Sequence, residues 1–321
     1  MKPVNQRGMM GNKQKTKNLP NDRTLIRYPH NNQNVIIMDE LYSHPRRKSM
    51  TVCIGVICNN GQNVVLSGDR MITGNSLSIE FEHPKPKLKS ITDNCAIATA
   101  GDALAYTELI NRVVSEVHNL KNPSITQIVK EIQDAYVDIR QKRIQDLILR
   151  PRGIPDIYDF YKMQQSLIPD VALAIQNAID SYDYGLEILI GGVDGTGAHL
   201  YGVANPGVSV CFDALGYNAI GIGEPHAVST IISSEHTIEK SVEETLYLVF
   251  KAKRVSEKAP GVGDKYTDLW VVNHEATLPL QYEVIKTLND YYKIEQEKTK
   301  LTLPELQKIS EDMKKEKSDK K

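Results

Sequence analysis

Residues 52–57 read Val-Cys-Ile-Gly-Val-Ile, β-branched or small on both alternating faces, which is the pattern of a strand covered on both sides. Asn59-Asn60-Gly61 supplies turn residues that tolerate positive φ, and Val64–Leu66 returns as a second strand. The fold therefore opens with a hairpin that must be buried on both faces. Cys95–Ala100 is a further buried strand, and Gly101-Asp102 passes straight into a helix whose apolar positions are Ala103, Tyr106, Ile110, Val114 and Val117. Such a junction leaves N–H groups unpaired at a helix start, where an anionic oxygen can bind.

The same stretch carries groups suited to nucleophilic chemistry. A threonine hydroxyl is a poor nucleophile until a base takes its proton, and a free α-amino group on the same residue can be that base. The ordinary pKa of that amine is roughly 7.7–8.0, so it is partly neutral near physiological pH. Thr51 fits this role only if Met50 is removed. Asp69 and Lys87 fit a supporting ion pair, the ammonium favouring the alkoxide and lowering the amine's pKa by like-charge repulsion. The Gly101 N–H fits an oxyanion donor, a contact whose loss typically costs ~2.7–4 kcal/mol of transition-state stabilisation.

A Thr opening a buried strand, Gly68-Asp69-Arg70 ending the second strand, Lys87-Leu88 followed by Ile91, and Ala100-Gly101 at a strand-to-helix junction occur in one order. In that order and spacing they resemble the proteasome β-type subunits of the N-terminal-nucleophile hydrolase superfamily. The match covers about residues 51–122 and 186–273. It requires extra residues at Gln62-Asn63 and before Lys87. Lys85 competes for the lysine role, because Lys85, Lys87 and Lys89 share one face of an extended segment; the Lys-Leu-x-x-Ile pattern favours Lys87.

The remaining elements follow an order that resembles the superfamily's four-layer αββα sandwich, an α+β fold. Ser124-x-x-Gln127 reads as a capping box, and Ile125, Ile128, Val129, Ile132, Tyr136 and Ile139 mark the helix behind it. Arg140, Lys142, Arg143 and Arg150 read as a solvated helical face. Residues 151–184 have no counterpart in the family pattern and read as an aromatic-rich helical insertion, with Tyr158, Phe160, Tyr161 and Met163, packed against the helical layer. Strands at Glu187–Val193, Ala198–Ala204 and Val208–Ala214 form a meander, and a helix starts near Pro225. Gly221-Ile222-Gly223 lacks the βαβ setting of a dinucleotide loop. Ser241-x-x-Glu244 caps a helix with Val242, Leu246, Val249 and Phe250 buried, and Thr267–Asn273 is the last strand of the pattern.

The domain expected from these elements is 51–282, flanked by extensions. Residues 1–50 carry ten Lys or Arg against three acids and read as a basic flexible extension, a docking arm or a propeptide. Met50 followed by small Thr51 also reads as a possible initiator. Residues 283–321 read as a Lys-rich tail. The formal net charge of −1 gives no reason to expect nucleic-acid binding. No stretch approaches the roughly 18 apolar residues of a membrane span, and the N-terminus lacks a signal-peptide core. A cytoplasmic protein is the resulting expectation. Cys53, Cys58, Cys95 and Cys211 fall in expected strands without metal-ligand spacing and read as buried thiols; His199, His226 and His274 receive no role.

The resemblance implies a threonine-type peptidase acting on peptide or unfolded protein, with Thr51, Asp69, Lys87 and Gly101 in the site and no cofactor or metal. It further implies a homo-oligomer or ring and a regulatory ATPase partner. Two departures stand against the family pattern. The serine between two glycines before the third helix is Ile222 here, and Asp-x-x-Ser-Gly-Gly is replaced by a region containing Pro260-Gly261-Val262-Gly263-Asp264, with neither Ser256 nor Asp264 in register. These leave a small-amide amidase and a catalytically silent structural subunit as alternative readings.

Overall fold

A computed structural model describes residues 50–74 and 79–300, with 304–305 and 307–309. The chain divides into units 1–44 and 45–321, and all described residues lie in the second. The basic segment 1–49 and the Lys-rich end 310–321 lie outside the described residues.

Strands β1 (Cys53–Cys58) and β2 (Asn63–Gly68) form the expected hairpin, in register from Cys53 opposite Gly68 to Cys58 opposite Asn63, and every residue of both is buried. A ribbon of β3 (Met71–Gly74) and β4 (Ile79–Glu82) follows, then β5 (Leu88–Thr92) and β6 (Cys95–Gly101). Helices α1 (Ala103–His118) and α2 (Ile125–Ile144) come next, and α2 continues through a π-helical turn at Gln145–Leu149 into a 3₁₀ turn that Gly153 ends. The chain then forms α3 (Ile157–Met163), α4 (Pro169–Ser181), β7 (Leu186–Asp194), β8 (Gly197–Ala204), β9 (Val208–Cys211) and β10 (Tyr217–Ile220). It finishes with α5 (Glu224–Ser233), α6 (Val242–Ser256), β11 (Asp268–Val272), β12 (Thr277–Pro279) and α7 (Tyr282–Lys298).

The protein is thus an α+β structure with two five-stranded antiparallel sheets, ordered β10-β1-β2-β11-β12 and β5-β6-β7-β8-β9. Strand alternation sorts the core. Cys53, Ile57, Val64 and Leu66 of the first sheet share a cluster with Ala96, Ala98, Ala100, Leu189 and Leu200 of the second. The opposite face of the first sheet, Ile54, Val56, Cys58 and Val65, packs on Ala227 and Ile231 of α5 and on Val249 and Phe250 of α6. The opposite face of the second, Ile97, Ile188 and Ile190, packs on α1 and α2. Burying each Val, Leu, Ile or Phe side chain among these contributes roughly 1.5–3 kcal/mol.

Both expected capping boxes are present, at Ser124/Gln127 and Ser241/Glu244. In α1 Ile110 and Val117 are buried as expected, Ala105, Leu109 and Val113 widen the buried stripe, and Tyr106 and Val114 lie at its margin. The insertion joins the end of α2 in a small cluster around Ile148, Phe160, Ile175 and Ile179, whereas Tyr158 and Tyr161 are exposed, so of those three rings Phe160 alone packs as expected. Arg140 is not simply solvated; it donates to Asn205 Oδ1 and to the Ile179 and Tyr182 carbonyls. Cys53, Cys58 and Cys95 are buried free thiols, but Cys211 is exposed on the edge strand β9. Strand β10 was not expected from the sequence, and α7 occupies the start of the Lys-rich tail because Ile285, Leu288 and Tyr292 give it an apolar stripe against the α5–α6 cluster. Among the described residues, no helix is long and apolar enough to cross a membrane.

Candidate active site

Thr51 lies just ahead of β1, Asp69 just past the end of β2, and Lys87 just ahead of β5. Because Cys53 pairs with Gly68, the next step of the hairpin sets Asp69 opposite Val52, whose carbonyl accepts from the Asp69 N–H, and Thr51 follows directly beyond it. The Thr51 hydroxyl donates to Asp69 Oδ1. Lys87 Nζ donates to Thr51 Oγ1 at 2.5 Å and to Asp69 Oδ1 at 3.0 Å. Thr51 and Asp69 are 1% and 0% exposed, so this hydroxyl, carboxylate and ammonium meet almost out of water. A buried carboxylate needs its lone pairs filled. Asp69 Oδ2 accepts from the Val52 and Gly263 N–H groups at 3.3 and 2.9 Å, and Oδ1 also accepts from the Met71 N–H at 3.3 Å. Lys85, the competing lysine, is exposed.

Gly101 ends β6 opposite Leu186 of β7. The next N–H, that of Asp102, donates to the Gly185 carbonyl. Since N–H groups alternate sides along an antiparallel strand, the Gly101 N–H is directed to the other side, toward β5. Strand β5 begins only at Leu88, opposite Ala98, so its ladder does not reach Gly101. Only glycine fits here: φ is +126° and a Cβ would lie 2.1 Å from the Gly185 carbonyl oxygen. Asp102 then caps α1, accepting from the Ala105 N–H.

Sequence reasoning missed several supports. The Cys53 thiol donates to the Thr99 carbonyl, tying β1 to β6, and burial pushes its pKa up to about 12 despite Lys87, so it remains a neutral donor. Arg70 forms a two-pronged ion pair with Asp268 at 2.9 and 2.6 Å and lies over the Tyr266 ring. Gly223 N–H donates to the Thr51 carbonyl, and a Cβ on Gly221 would lie 2.5 Å from that carbonyl oxygen. Gly221 in turn donates to Glu187 Oε2. The glycines around Ile222 therefore carry the backbone of Thr51, and no hydroxyl occupies the place between them. Ser256 is buried, and its single O–H is shared between the Ala252 carbonyl at 2.8 Å and the Gly223 carbonyl at 3.1 Å. Met50 rests against Gly261, where a Cβ would lie 2.7 Å from the Met50 side chain. Among the described residues, no cluster of His, Cys, Asp or Glu is arranged to hold a metal ion.

No protein-family model matches the chain. Curated relatives do. A proteasome subunit beta of Ferroglobus placidus is 23% identical over 220 residues, covering 66% of this chain and 83% of that protein. A proteasome subunit beta of Methanosarcina barkeri is 24% identical over 246 residues, covering 74% and 93%. Proteasome subunit beta 2 of Thermofilum pendens is 31% identical over a shorter span of 101 residues, 32% of this chain and 48% of its own length. Similarity along two thirds to three quarters of the chain, to proteins matched over most of their own length, supports a proteasome β-type, N-terminal-nucleophile-hydrolase-like protein.

Proposed function

We propose that the chain is a threonine-type peptidase whose nucleophile is Thr51 once the Met50–Thr51 bond has been cut. The observation that carries this reading is the buried contact of one hydroxyl, Thr51 Oγ1, with both Asp69 and Lys87. The freed Thr51 amine takes the Oγ1 proton, Lys87 favours the alkoxide, and Asp69 holds Lys87 in place. Oγ1 attacks the peptide carbonyl, the Gly101 N–H meets the resulting oxyanion, and the amine returns the proton to the leaving nitrogen. Water then attacks the ester, gives its proton to the amine, and releases the acid with Thr51 restored. The cluster order, helices, sheet, sheet, helices, supports the αββα sandwich. The relatives' name, proteasome subunit beta, supports assembly with other subunits; a ring that admits peptide or unfolded chains and a regulatory ATPase partner belong to the proposal itself.

Ile222 between its glycines and Pro260 in the family's serine region favour the silent-subunit reading. The deciding experiment releases a chain beginning at Thr51 from a cleavable fusion and assays fluorogenic peptides beside Thr51→Ala and a chain beginning at Met50. Turnover confined to the free-Thr51 form supports a hydrolase; no turnover of peptide or small amide by that form establishes the silent subunit. A substrate-length series separates peptidase from amidase. Intact mass of the protein from its native cells reports which start the natural chain has.

A further inference from the structure

Helix α6 reaches the backbone on both sides of the threonine site from residues one turn apart, at i and i+3 on one face. Ser256 donates to the Gly223 carbonyl, and Gly223 donates to the Thr51 carbonyl. Lys253, fully buried, donates to the Gly263 carbonyl at 2.8 Å, and the Gly263 N–H donates to Asp69 Oδ2 at 2.9 Å. A lysine buried inside a helix-on-sheet layer loses its hydration and must be repaid locally. Glu257, one turn further along α6, does so at 2.5 Å. That pair explains the charge but not the aim of the second donor, which is spent on one loop carbonyl.

The far side of the same loop is held as well. Lys265 N–H donates to Glu82 Oε1 at 3.0 Å, and a Cβ on Gly263 would lie 2.3 Å from that oxygen. Gly263 thus passes through a gap between the ribbon strand β4 and helix α6, with its carbonyl fixed by Lys253 and its N–H left to face Asp69. Among the backbone donors to Asp69, this one is the shortest and comes from 194 residues away. Val52 and Met71 flank the hairpin and approach Asp69 by register alone, whereas Gly263 needs something to place it.

We propose that Lys253 is a positioning residue for the threonine site: by fixing the Gly263 carbonyl it points the Gly263 N–H at Asp69 and so orients the carboxylate that holds Thr51 Oγ1 and Lys87. The inference rests on the reading of Thr51 as nucleophile for its catalytic half, and on the geometry alone for its structural half. Glu257 keeps Arg254 at 2.8 Å when Lys253 is neutralised, so Lys253→Met does not strand a buried charge.

The test pairs Lys253→Met with Lys253→Gln, which retains a donor without the charge, and with Lys253→Arg, which retains both. Hydrogen–deuterium exchange in the peptide covering 260–267 reads the structural half without any activity. The expected result is exchange at least about tenfold faster in Lys253→Met than in either companion variant, with the β1–β2 hairpin unchanged. On a free-Thr51 chain, kcat for peptide hydrolysis falls about 10–100-fold in Lys253→Met with KM within about twofold, and Lys253→Arg recovers part of it, the pattern of an interaction made in the transition state. Unchanged exchange at 260–267 overturns the proposal whatever the activity. Faster exchange with undiminished Thr51-dependent kcat overturns the positioning role. Turnover equal in wild type and Thr51→Ala instead overturns the reading of Thr51, and the exchange result then decides the structural half by itself.

Discussion

Two threonine–carboxylate–base clusters among the described residues differ in setting, and the difference shows what makes one of them a candidate for chemistry. In the first, Thr51, Asp69 and Lys87 come from separate segments and are joined by backbone donors from Val52, Met71 and Gly263. In the second, the Thr196 hydroxyl lies 2.6 Å from Asp194 Oδ1 and 2.7 Å from His199 Nε2, with Asp213 Oδ2 2.7 Å from His199 Nδ1. On paper the second resembles the hydroxyl–imidazole–carboxylate order of a serine-type triad more closely than the first does. Its setting is different. Thr196 is exposed on the β7–β8 turn, its N–H closes an Asx-turn on Asp194, and Asp194 Oδ2 caps α2 by accepting from the Ile125 N–H. Among the described residues no ammonium reaches the Thr196 hydroxyl; a carboxylate does, and a carboxylate opposes an alkoxide. The second cluster fastens a turn, whereas the first presents a nucleophile to a cation in a dry site.

The comparison breaks most visibly at the hydroxyls. On the chain beginning at Thr51, Thr51→Ala should abolish peptide turnover, a fall of roughly 10⁴-fold or more, while melting temperature changes little. Asp69→Asn should lower kcat by about 10³-fold, since the amide keeps the shape but presents a donor where Lys87 and backbone N–H groups require an acceptor. A smaller loss for Asp69→Asn than for Thr196→Ala would reverse the assignment of the two clusters. Gly101→Ala tests the remaining member through stability: the +126° φ and the 2.1 Å approach to Gly185 predict a loss of about 3 kcal/mol or more, read by urea denaturation.

How much of this was legible in the sequence follows from how local each signal is. The doubly buried hairpin, both capping boxes and the placing of Thr51 beside Asp69 are set by neighbours within one hairpin or one helical turn, and each reads directly from residue order. Lys87 over Lys85 came from a pattern, and the structure places Lys87 alone of the two on Thr51 Oγ1. Strand β10 was hidden because it is four residues long between Gly216 and Gly221, too short for alternation to stand out. In α6 Val249 and Phe250 are buried as expected and Val242 and Leu246 only partly, while Leu248 was missed; Lys253 and Ser256, also buried, carry no hydrophobic signal and were invisible to periodicity. The Gly263 N–H on Asp69 could not be read at all, because a backbone donor has no residue type to mark it.

The turn cluster supplies the finer contrast, in pH. Burial opposes the charge on Asp194, but the Thr196 hydroxyl and the Ile125 and Thr196 N–H groups outweigh it and hold its pKa at about 2. An unfolded aspartate titrates near 3.9, so the folded chain binds this proton less readily than the unfolded one. The stabilisation is therefore complete above about pH 4 and is lost as the pH falls toward about 2. Asp194→Asn, which cannot carry that charge, should melt below wild type at neutral pH, with the gap narrowing across this window; a gap of constant size would mean that the carboxylate's charge contributes nothing to the cap.

Thr196→Ala is the smallest effect and the sharpest discriminator. It deletes one exposed hydroxyl but leaves the Thr196 N–H on Asp194 and the His199–Asp213 bond in place, so the turn keeps most of its fastenings. A surface change of this kind usually stays within about 0.5 kcal/mol. Peptide turnover by the free-Thr51 chain should remain within about twofold of wild type. Because Thr196 sits beside a histidine and Thr51 does not, a large loss of turnover here with an unaltered melting temperature would mean that the imidazole, and not the N-terminal amine, is the base the chain uses.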